Sequence, residues 1–228
     1  MNTIIRKSII AGATALVLCF TIAATGARTT AMPAADINLS AEEQTIASFD
    51  NLLNRFDRSG SDLDRKAAVT RIEFNSVKAQ ADEIKKQIPQ MQQAIRSLIS
   101  RLDSARLFAS VEAKLAAAIR NENVKSSIRA QGGLRRILEQ SASQSSGLAT
   151  EIDSLLEGLT RKVSARDGGS DLSLRAVRVA FVQGAGPAGK RFRCTLTLAR
   201  ATIEMATKGE LSDRTKENLE KNCNLGTV

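Results

Sequence analysis

The chain has 228 residues, and its 33 Lys and Arg against 24 Asp and Glu give a formal net charge of +9. It contains seven Phe but no Trp, no Tyr and no His. Without His, the sequence excludes an imidazole general base, a Ser-His or Cys-His nucleophile pair and a His-ligated metal. Without Trp and Tyr, it offers no obvious aromatic platform for bases or sugars. We therefore expect a non-catalytic protein that has no cofactor, no metal site and no small-molecule substrate.

The N-terminal region has the pattern of a secretory signal. Arg6 and Lys7 form a short basic region, and residues 8–24 carry no charge. Small residues follow, which predicts a signal peptide over 1–27. An uncleaved membrane anchor is the alternative, although the apolar run is slightly short for a bilayer span. Both interpretations predict an exported protein, periplasmic or extracellular, and residues 28–38 are expected to form a flexible leader.

A first helix is predicted from residue 40 to about residue 58. Ser40 and Glu43 have the spacing of a capping box, in which each side chain bonds the backbone amide of the other residue. The polar segment 59–62 contains a glycine and predicts the turn that ends this helix. Residues 39–166 as a whole are expected to form a long helical, coiled-coil region.

The strongest pattern in the chain is a heptad repeat of apolar positions from Leu63 to Ala109, which we call the seam. At about 1.5 Å per residue the seam is about 70 Å long. An unbroken heptad repeat of this length is typical of a coiled coil and predicts pairing with a second copy of the chain or with another helical envelope protein. The residues predicted to bind the partner are Ile84, Ile88, Met91, Ile95, Leu98 and Leu102.

Pro89 interrupts the seam, and inside a helix it costs about 3 kcal/mol because it lacks an amide hydrogen and its ring clashes with the preceding turn. Either the helix kinks there, or it stops and restarts with Pro89 near its new first turn. The unbroken register favours the kink. Further along, residues 121–123 predict a turn, and the apolar positions from Val124 to Val163 predict a return arm that packs antiparallel on residues 80–120.

Basic residues are concentrated where the two arms meet. We call the segment 120–136 the basic tip, and its predicted anion-binding residues are Arg120, Lys125, Arg129, Arg135 and Arg136. Several cations within one short segment attract phosphate and carboxylate groups. The basic tip therefore predicts an alternative function, in which the protein binds an anionic envelope polymer, a membrane surface with anionic headgroups or a nucleic acid.

Residues 167–228 differ in character and are expected to form a small C-terminal subdomain. Residues 191–198 alternate between apolar and polar side chains, which is typical of a strand, so that a short β-hairpin over 172–198 is one interpretation. The apolar residues also fit one face of a helix over 190–207. We favour the helix from residue 190 onward and leave residues 172–182 open.

The favoured helix is supported by the positions of two cysteines. A second helix over 212–222 would return along the first and bring Cys223 close to Cys194. Once the signal peptide is removed these two are the remaining cysteines, and an even pair in an oxidising compartment predicts a disulfide.

A glycine-rich segment precedes this region. Gly184, Gly186 and Gly189 spell G-x-G-x-x-G, which resembles the dinucleotide fingerprint of flavoprotein oxidoreductases, and with Lys190 the segment also resembles a P-loop. In both families the glycines let the backbone approach phosphates at a helix N-terminus. However, Arg191 stands where a P-loop needs Ser or Thr, and the 39 residues after Gly189 are too few for the remaining strands of either fold. The segment is therefore predicted to be a plain turn.

Together these patterns predict a mainly α protein. Its expected architecture is an elongated helical hairpin or coiled-coil bundle with a small C-terminal helical subdomain that a disulfide staples. Its expected function is that of a non-catalytic, exported interaction protein, which serves as a scaffold, an adaptor or a chaperone and acts through the seam. The alternative is an anion binder that acts through the basic tip.

Overall fold

The structure, a computed structural model, describes residues 37–66, 69–166 and 186–224. The predicted signal peptide, the leader up to residue 36 and the first part of the candidate β-hairpin, residues 172–185, lie outside the described residues. The described part is helical and contains no strand, which confirms the mainly α prediction. Its helices are α1 (Ser40–Asp64), α2 (Arg71–Ser104), α3 (Phe108–Ala118), α4 (Glu122–Ala130), α5 (Gly133–Glu139), α6 (Ser141–Arg166), α7 (Pro187–Lys208) and α8 (Asp213–Cys223).

Helix α1 begins at Ser40, as predicted, but without the predicted capping box. Its N-cap is Leu39, and Ser40 instead donates from its backbone amide and its hydroxyl to Asn38 Oδ1, at 3.1 and 2.7 Å. The prediction of a turn at 59–62 is also wrong, because α1 continues through that segment to Asp64.

The end of α1 is determined by a contact with a distant helix. Lys162 of α6 is nearly buried, and its Nζ donates to both the backbone carbonyl and the carboxylate of Asp64, at 2.7 and 2.8 Å. A cation at the last carbonyls of a helix satisfies groups that have no partner within the helix. The side chain of Leu63 is buried in the core, and its burial stabilises the last turn of α1 beyond Gly60.

The capping box of this region lies at the start of α2. Thr70 Oγ1 accepts a hydrogen bond from the Glu73 amide at 3.2 Å, and the Glu73 carboxylate accepts one from the Thr70 amide at 2.9 Å. The hydrogen bonds from Lys66 and Thr70 lower the pKa of Glu73 to about 2. Glu73 is therefore ionised at neutral pH. Its negative charge at the N-terminus of α2 interacts favourably with the helix dipole.

Helix α2 runs without interruption through Pro89 to Ser104. This continuity agrees with the unbroken register of the seam and excludes a stop at Pro89. Helix α2 then ends in a Schellman motif, in which the Leu107 amide donates to the Leu102 carbonyl at 2.8 Å and Arg106 adopts the left-handed φ of 58°. The motif turns the chain into α3.

Helix α7 is the central helix of the bundle and contacts α1, α2, α3, α5, α6 and α8. It confirms the helical interpretation of residues 190–207. It belongs to the same compact unit as α1 to α6. Most of its residues from Phe192 to Ala206 are buried, so more than one face of this helix is covered by its neighbours. Buried threonines are tolerated because their hydroxyls bond within the helix, as Thr202 Oγ1 does to the Leu198 carbonyl at 2.7 Å.

A buried carboxylate holds the turn between α7 and α8. Glu204 accepts hydrogen bonds from the Ser212 amide at 3.0 Å and from Thr215 Oγ1 at 2.8 Å. Burial acts to raise the pKa of Glu204, but the hydrogen bonds from Ser212 and Thr215 outweigh it and hold the pKa below its usual value. The far end of α8 is tied to α7 by the predicted disulfide between Cys194 and Cys223, which the structure confirms.

Candidate anion-binding cleft

The predicted partner-binding seam lies inside the protein. Five of its six residues are fully buried in the core, and Ile88 packs partly buried against the same core. Helix α2, which carries the seam, packs against α1, α5 and α6 of the same chain. The assignment of Ile84, Ile88, Met91, Ile95, Leu98 and Leu102 to an intermolecular interface is therefore corrected: their apolar area is removed from water within one chain, which leaves none for a partner.

The glycine-rich segment is described from Gly186, which is the N-cap of α7. The place at which such a segment would bind a phosphate is occupied by a carboxylate of the same chain. The Glu151 carboxylate of α6 accepts hydrogen bonds from the amides of Ala188 and Gly189, both at 2.8 Å. These are the free amides of a helix N-terminus, where a phosphate would otherwise bind. The segment thus serves as an internal helix cap, and Gly186 leaves room for it, because a Cβ there would lie 2.6 Å from Glu151 Oε1.

Replacing Glu151 by Ala is expected to lower the free energy of unfolding by about 1–2 kcal/mol, because both α7 amides lose their acceptor. Urea denaturation followed by circular dichroism measures the change. The matched control is Glu157→Ala, which removes an exposed carboxylate of the same helix that pairs only with Arg161. The control should cost less than about 0.5 kcal/mol, and equal costs for the two variants would contradict the capping role of Glu151.

The structure divides the five residues of the basic tip into two groups. Lys125 pairs with Glu122 at 2.8 Å, and Arg135 pairs with Asp103 through two hydrogen bonds. The Arg135 guanidinium also lies 4.2 Å from the centre of the Phe108 ring. Arg135 therefore connects α5 to the α2–α3 junction through these contacts.

The remaining residues of the basic tip, Arg120, Arg129 and Arg136, are exposed. None of them forms an ion pair with a residue that the structure describes. They are spread over the α3–α4 connection, α4 and α5, and together they form an open cationic surface.

A different group of cations converges at a cleft between α1, α7 and α8, which has a volume of about 760 Å³. None of the sequence patterns described above predicts this site. Its five basic side chains are Arg58, Arg65, Lys190, Arg193 and Lys221. Two carboxylates, Asp57 and Asp62, also line it, so that the charged side chains of the lining sum to a positive balance.

The two carboxylates of the cleft are each paired with one of its arginines. Asp62 pairs with Arg65 at 2.8 Å on the exposed rim. Asp57 pairs with Arg193 deeper in the wall, where the side chain of Arg193 is only 11% exposed. Burial raises the pKa of Asp57 above its usual value, although the attraction of Arg193 acts in the opposite direction.

The other three cations of the cleft, Arg58, Lys190 and Lys221, have no such partner. All three are exposed, and none forms an ion pair with any residue of the described ranges. They come from three different helices: Arg58 from α1, Lys190 from α7 and Lys221 from α8. The fold therefore brings three cations that form no close ion pair in the described ranges to one concave surface, although Lys221 still attracts the Asp57 carboxylate and acts to lower its pKa.

The disulfide contributes to the geometry of this cleft. Cys194 directly follows Arg193 on α7, and Cys223 directly follows Asn222 on α8. The covalent bond holds these two walls beside each other. The sequence contains a signal for part of this site, because the predicted disulfide implies that Lys190 and Lys221 lie close together. No sequence pattern connects either lysine to Arg58.

Among the residues in the described ranges, no helix is long and apolar enough to cross a bilayer, and no cluster of three or more potential metal ligands is present. The fold and the cleft thus define a disulfide-bonded, all-α bundle with a cationic surface site. Comparisons with protein-family models, with curated proteins and with solved structures return no match to this chain.

Proposed function

We propose that the protein is an exported, non-catalytic binding protein that recognises an anionic ligand in the cleft between α1, α7 and α8. The observation that carries this proposal is the convergence of Arg58, Lys190 and Lys221, none of which forms an ion pair with a residue in the described part of the chain. Several cations that face one concave surface focus the electrostatic potential and attract anions. The absence of His from the whole chain supports a binding role rather than acid-base catalysis.

The composition of the described surface also favours an electrostatic partner. A single large hydrophobic side chain is exposed there, Ile72 of α2. Stable protein interfaces generally contain an apolar core, and in the described ranges no apolar patch of that kind is exposed. Charge is therefore the main property with which this surface can attract a ligand.

Export is supported by two independent features. The N-terminal pattern of a basic region, an uncharged apolar run and small residues is typical of a secretory signal. The Cys194–Cys223 disulfide is of the kind that persists in oxidising compartments such as the periplasm or the extracellular space. In such a compartment the anionic ligands at hand include envelope polymers and lipid headgroups.

Removing two of the unpaired cations should weaken anion binding. For the variant Lys190→Gln with Lys221→Gln, we expect the affinity for heparin to fall by about tenfold or more at about 0.15 M salt, because two charged contacts are lost. Surface plasmon resonance at several salt concentrations measures both the affinity and the number of ionic contacts. Both lysines are exposed, so that the variant is expected to fold normally.

Two control variants remove the same charge elsewhere. Lys86→Gln with Lys114→Gln neutralises two exposed lysines outside the cleft that form no described ion pair. Arg129→Gln with Arg136→Gln neutralises the basic tip without disturbing Arg135. Both controls should bind heparin within about threefold of the unchanged protein, as expected for screened, distant charges. If the three variants weaken binding equally, the attraction is a general effect of net charge and the cleft is not the site.

A second candidate function is anion binding by the basic tip, which the exposed and unpaired Arg120, Arg129 and Arg136 favour. The same experiment separates the two candidates. A large loss of affinity for the Arg129→Gln, Arg136→Gln variant, with no change for the cleft variant, would assign binding to the tip.

A further inference from the structure

The lining of the cleft restricts the chemistry of its ligand. Ligand pockets of about 300–1,000 Å³ are usually lined by apolar and aromatic side chains. The cleft falls within this range of volume, but each described residue that lines it is polar or charged. The aliphatic stems of Arg and Lys still present some apolar surface, but the groups that can distinguish one ligand from another in the cleft are charges and hydrogen-bonding atoms. The favoured ligand is therefore one that carries both negative charge and hydrogen-bonding groups.

The positions of the unpaired cations indicate how the ligand carries its charge. Arg58, Lys190 and Lys221 belong to three different helices that form the walls of the cleft. The cleft, at about 760 Å³, is much larger than one phosphate group. A small framework that carries several phosphate groups can therefore fill it and contact all three walls.

Two amide side chains of the lining add a requirement for hydroxyl groups. Asn54 Oδ1 accepts a hydrogen bond from Arg193 at 3.2 Å, and Asn222 Nδ2 donates one to Thr197 Oγ1 at 2.9 Å. These bonds fix which end of each amide is used within the protein. The Nδ2 group of Asn54 and the Oδ1 atom of Asn222 have no partner among the described residues.

The free acceptor of Asn222 is the more informative of the two atoms. A fully ionised phosphate or polyphosphate consists of acceptors alone and cannot donate a hydrogen bond to Asn222 Oδ1. A hydroxyl group both donates and accepts, so that it can pair with Asn222 Oδ1 and equally with Asn54 Nδ2. An unpaired amide oxygen that a ligand leaves desolvated reduces affinity, whereas a hydroxyl at that position increases it.

We infer that the cleft binds a phosphorylated sugar or polyol, a hydroxyl-rich framework that carries several phosphate groups. This inference rests on the proposed anion-binding function and names the ligand class for the same cleft. The ligand is bound and not transformed. It can be a free soluble compound or the headgroup of a lipid, since the two share the same chemistry.

Isothermal titration calorimetry on the purified full-length protein tests the inference with two probes of similar charge. Fructose 1,6-bisphosphate carries phosphates and hydroxyls, whereas tripolyphosphate carries phosphates alone. At about 0.15 M salt we expect fructose 1,6-bisphosphate to bind about tenfold or more tightly than tripolyphosphate, the difference expected from satisfying a desolvated polar group. The variant Lys190→Gln with Lys221→Gln should lose both ligands.

The variant Asn222→Ala tests the role of the hydroxyl groups directly. It removes the free acceptor and keeps every cation of the cleft, so it should weaken fructose 1,6-bisphosphate and leave tripolyphosphate unchanged. Weaker binding of both probes by the same factor would instead indicate a structural role for Asn222, and it would overturn the assignment of hydroxyl recognition.

Vesicles distinguish the two sources of the ligand. Binding to phosphatidylcholine vesicles that contain phosphatidylinositol 4-phosphate, displaced by fructose 1,6-bisphosphate, supports the inference with a lipid headgroup as the source. Binding of the soluble probe without vesicle binding supports it with a free ligand. Equal affinities for the two soluble probes overturn the inference but leave the proposed anion-binding function standing. If neither probe nor heparin binds, both the inference and the proposed function fail.

Discussion

Replacing Leu98 by Ala should lower the free energy of unfolding by about 2–5 kcal/mol, the range for a leucine removed from a packed core. Leu98 lies in the C-terminal half of the heptad seam, and its side chain is fully buried. Helix α2 packs against α1 and α6, so the cavity that the substitution leaves is enclosed by helices of the same chain. Urea denaturation measures the loss as a lower midpoint, with an unchanged slope of the free energy of unfolding against urea concentration.

A control on the same helix makes the result specific to burial. Ile72 is 83% exposed, and Ile72→Ala should change stability by less than about 0.5 kcal/mol. The more severe variant Leu98→Asp distinguishes the two roles of the seam. We expect this variant to unfold. If it instead stays folded and analytical ultracentrifugation shows only that an oligomer has dissociated, the seam is an interface between chains.

Removal of the disulfide is expected to have an effect of similar size. The bond joins residues 29 positions apart, and the chain-entropy model assigns about 3–4 kcal/mol to a loop of this length. The variant Cys194→Ala with Cys223→Ala should lower the urea midpoint accordingly. Because the bond holds the α7 and α8 walls of the cleft together, heparin affinity should fall as well.

Reduction of the unchanged protein provides the matching comparison. Treatment with dithiothreitol should reproduce the loss of stability, and the same treatment should leave the double alanine variant unaffected. If the reduced protein kept both its urea midpoint and its affinity for heparin, the disulfide would have no part in stability or in the shape of the cleft.

The prediction of helices succeeded where local patterns were strong. The heptad repeat gives α2 in full, and it continues through Pro89 as its register indicates. The polar, glycine-containing segment 59–62 predicts a turn, but α1 continues through it to Asp64. The contact that determines this end comes from Lys162, which lies 98 positions further along the chain, and no local pattern contains it.

Functional sites are harder to predict than helices for the same reason: the contacts that form them join residues far apart along the chain. The basic tip was identified by counting cations in one segment, but such a count does not show that Arg135 is engaged by Asp103, 32 positions away. The glycine-rich segment resembles a phosphate-binding loop, and only the fold shows that Glu151 occupies its amides. Both cases concern charge, and a charge acts on whichever group lies near it in space.

Local periodicity and counts of residue types are enough to predict the helical class, the apolar seam, the N-terminal signal pattern and the pairing of Cys194 with Cys223. The burial of the seam inside one chain and the central position of α7 follow only from the packing of the helices. The same packing brings Arg58, Lys190 and Lys221 to one cleft. Burial and electrostatic pairing depend on distances in space, and packed helices place side by side groups that lie far apart along the chain.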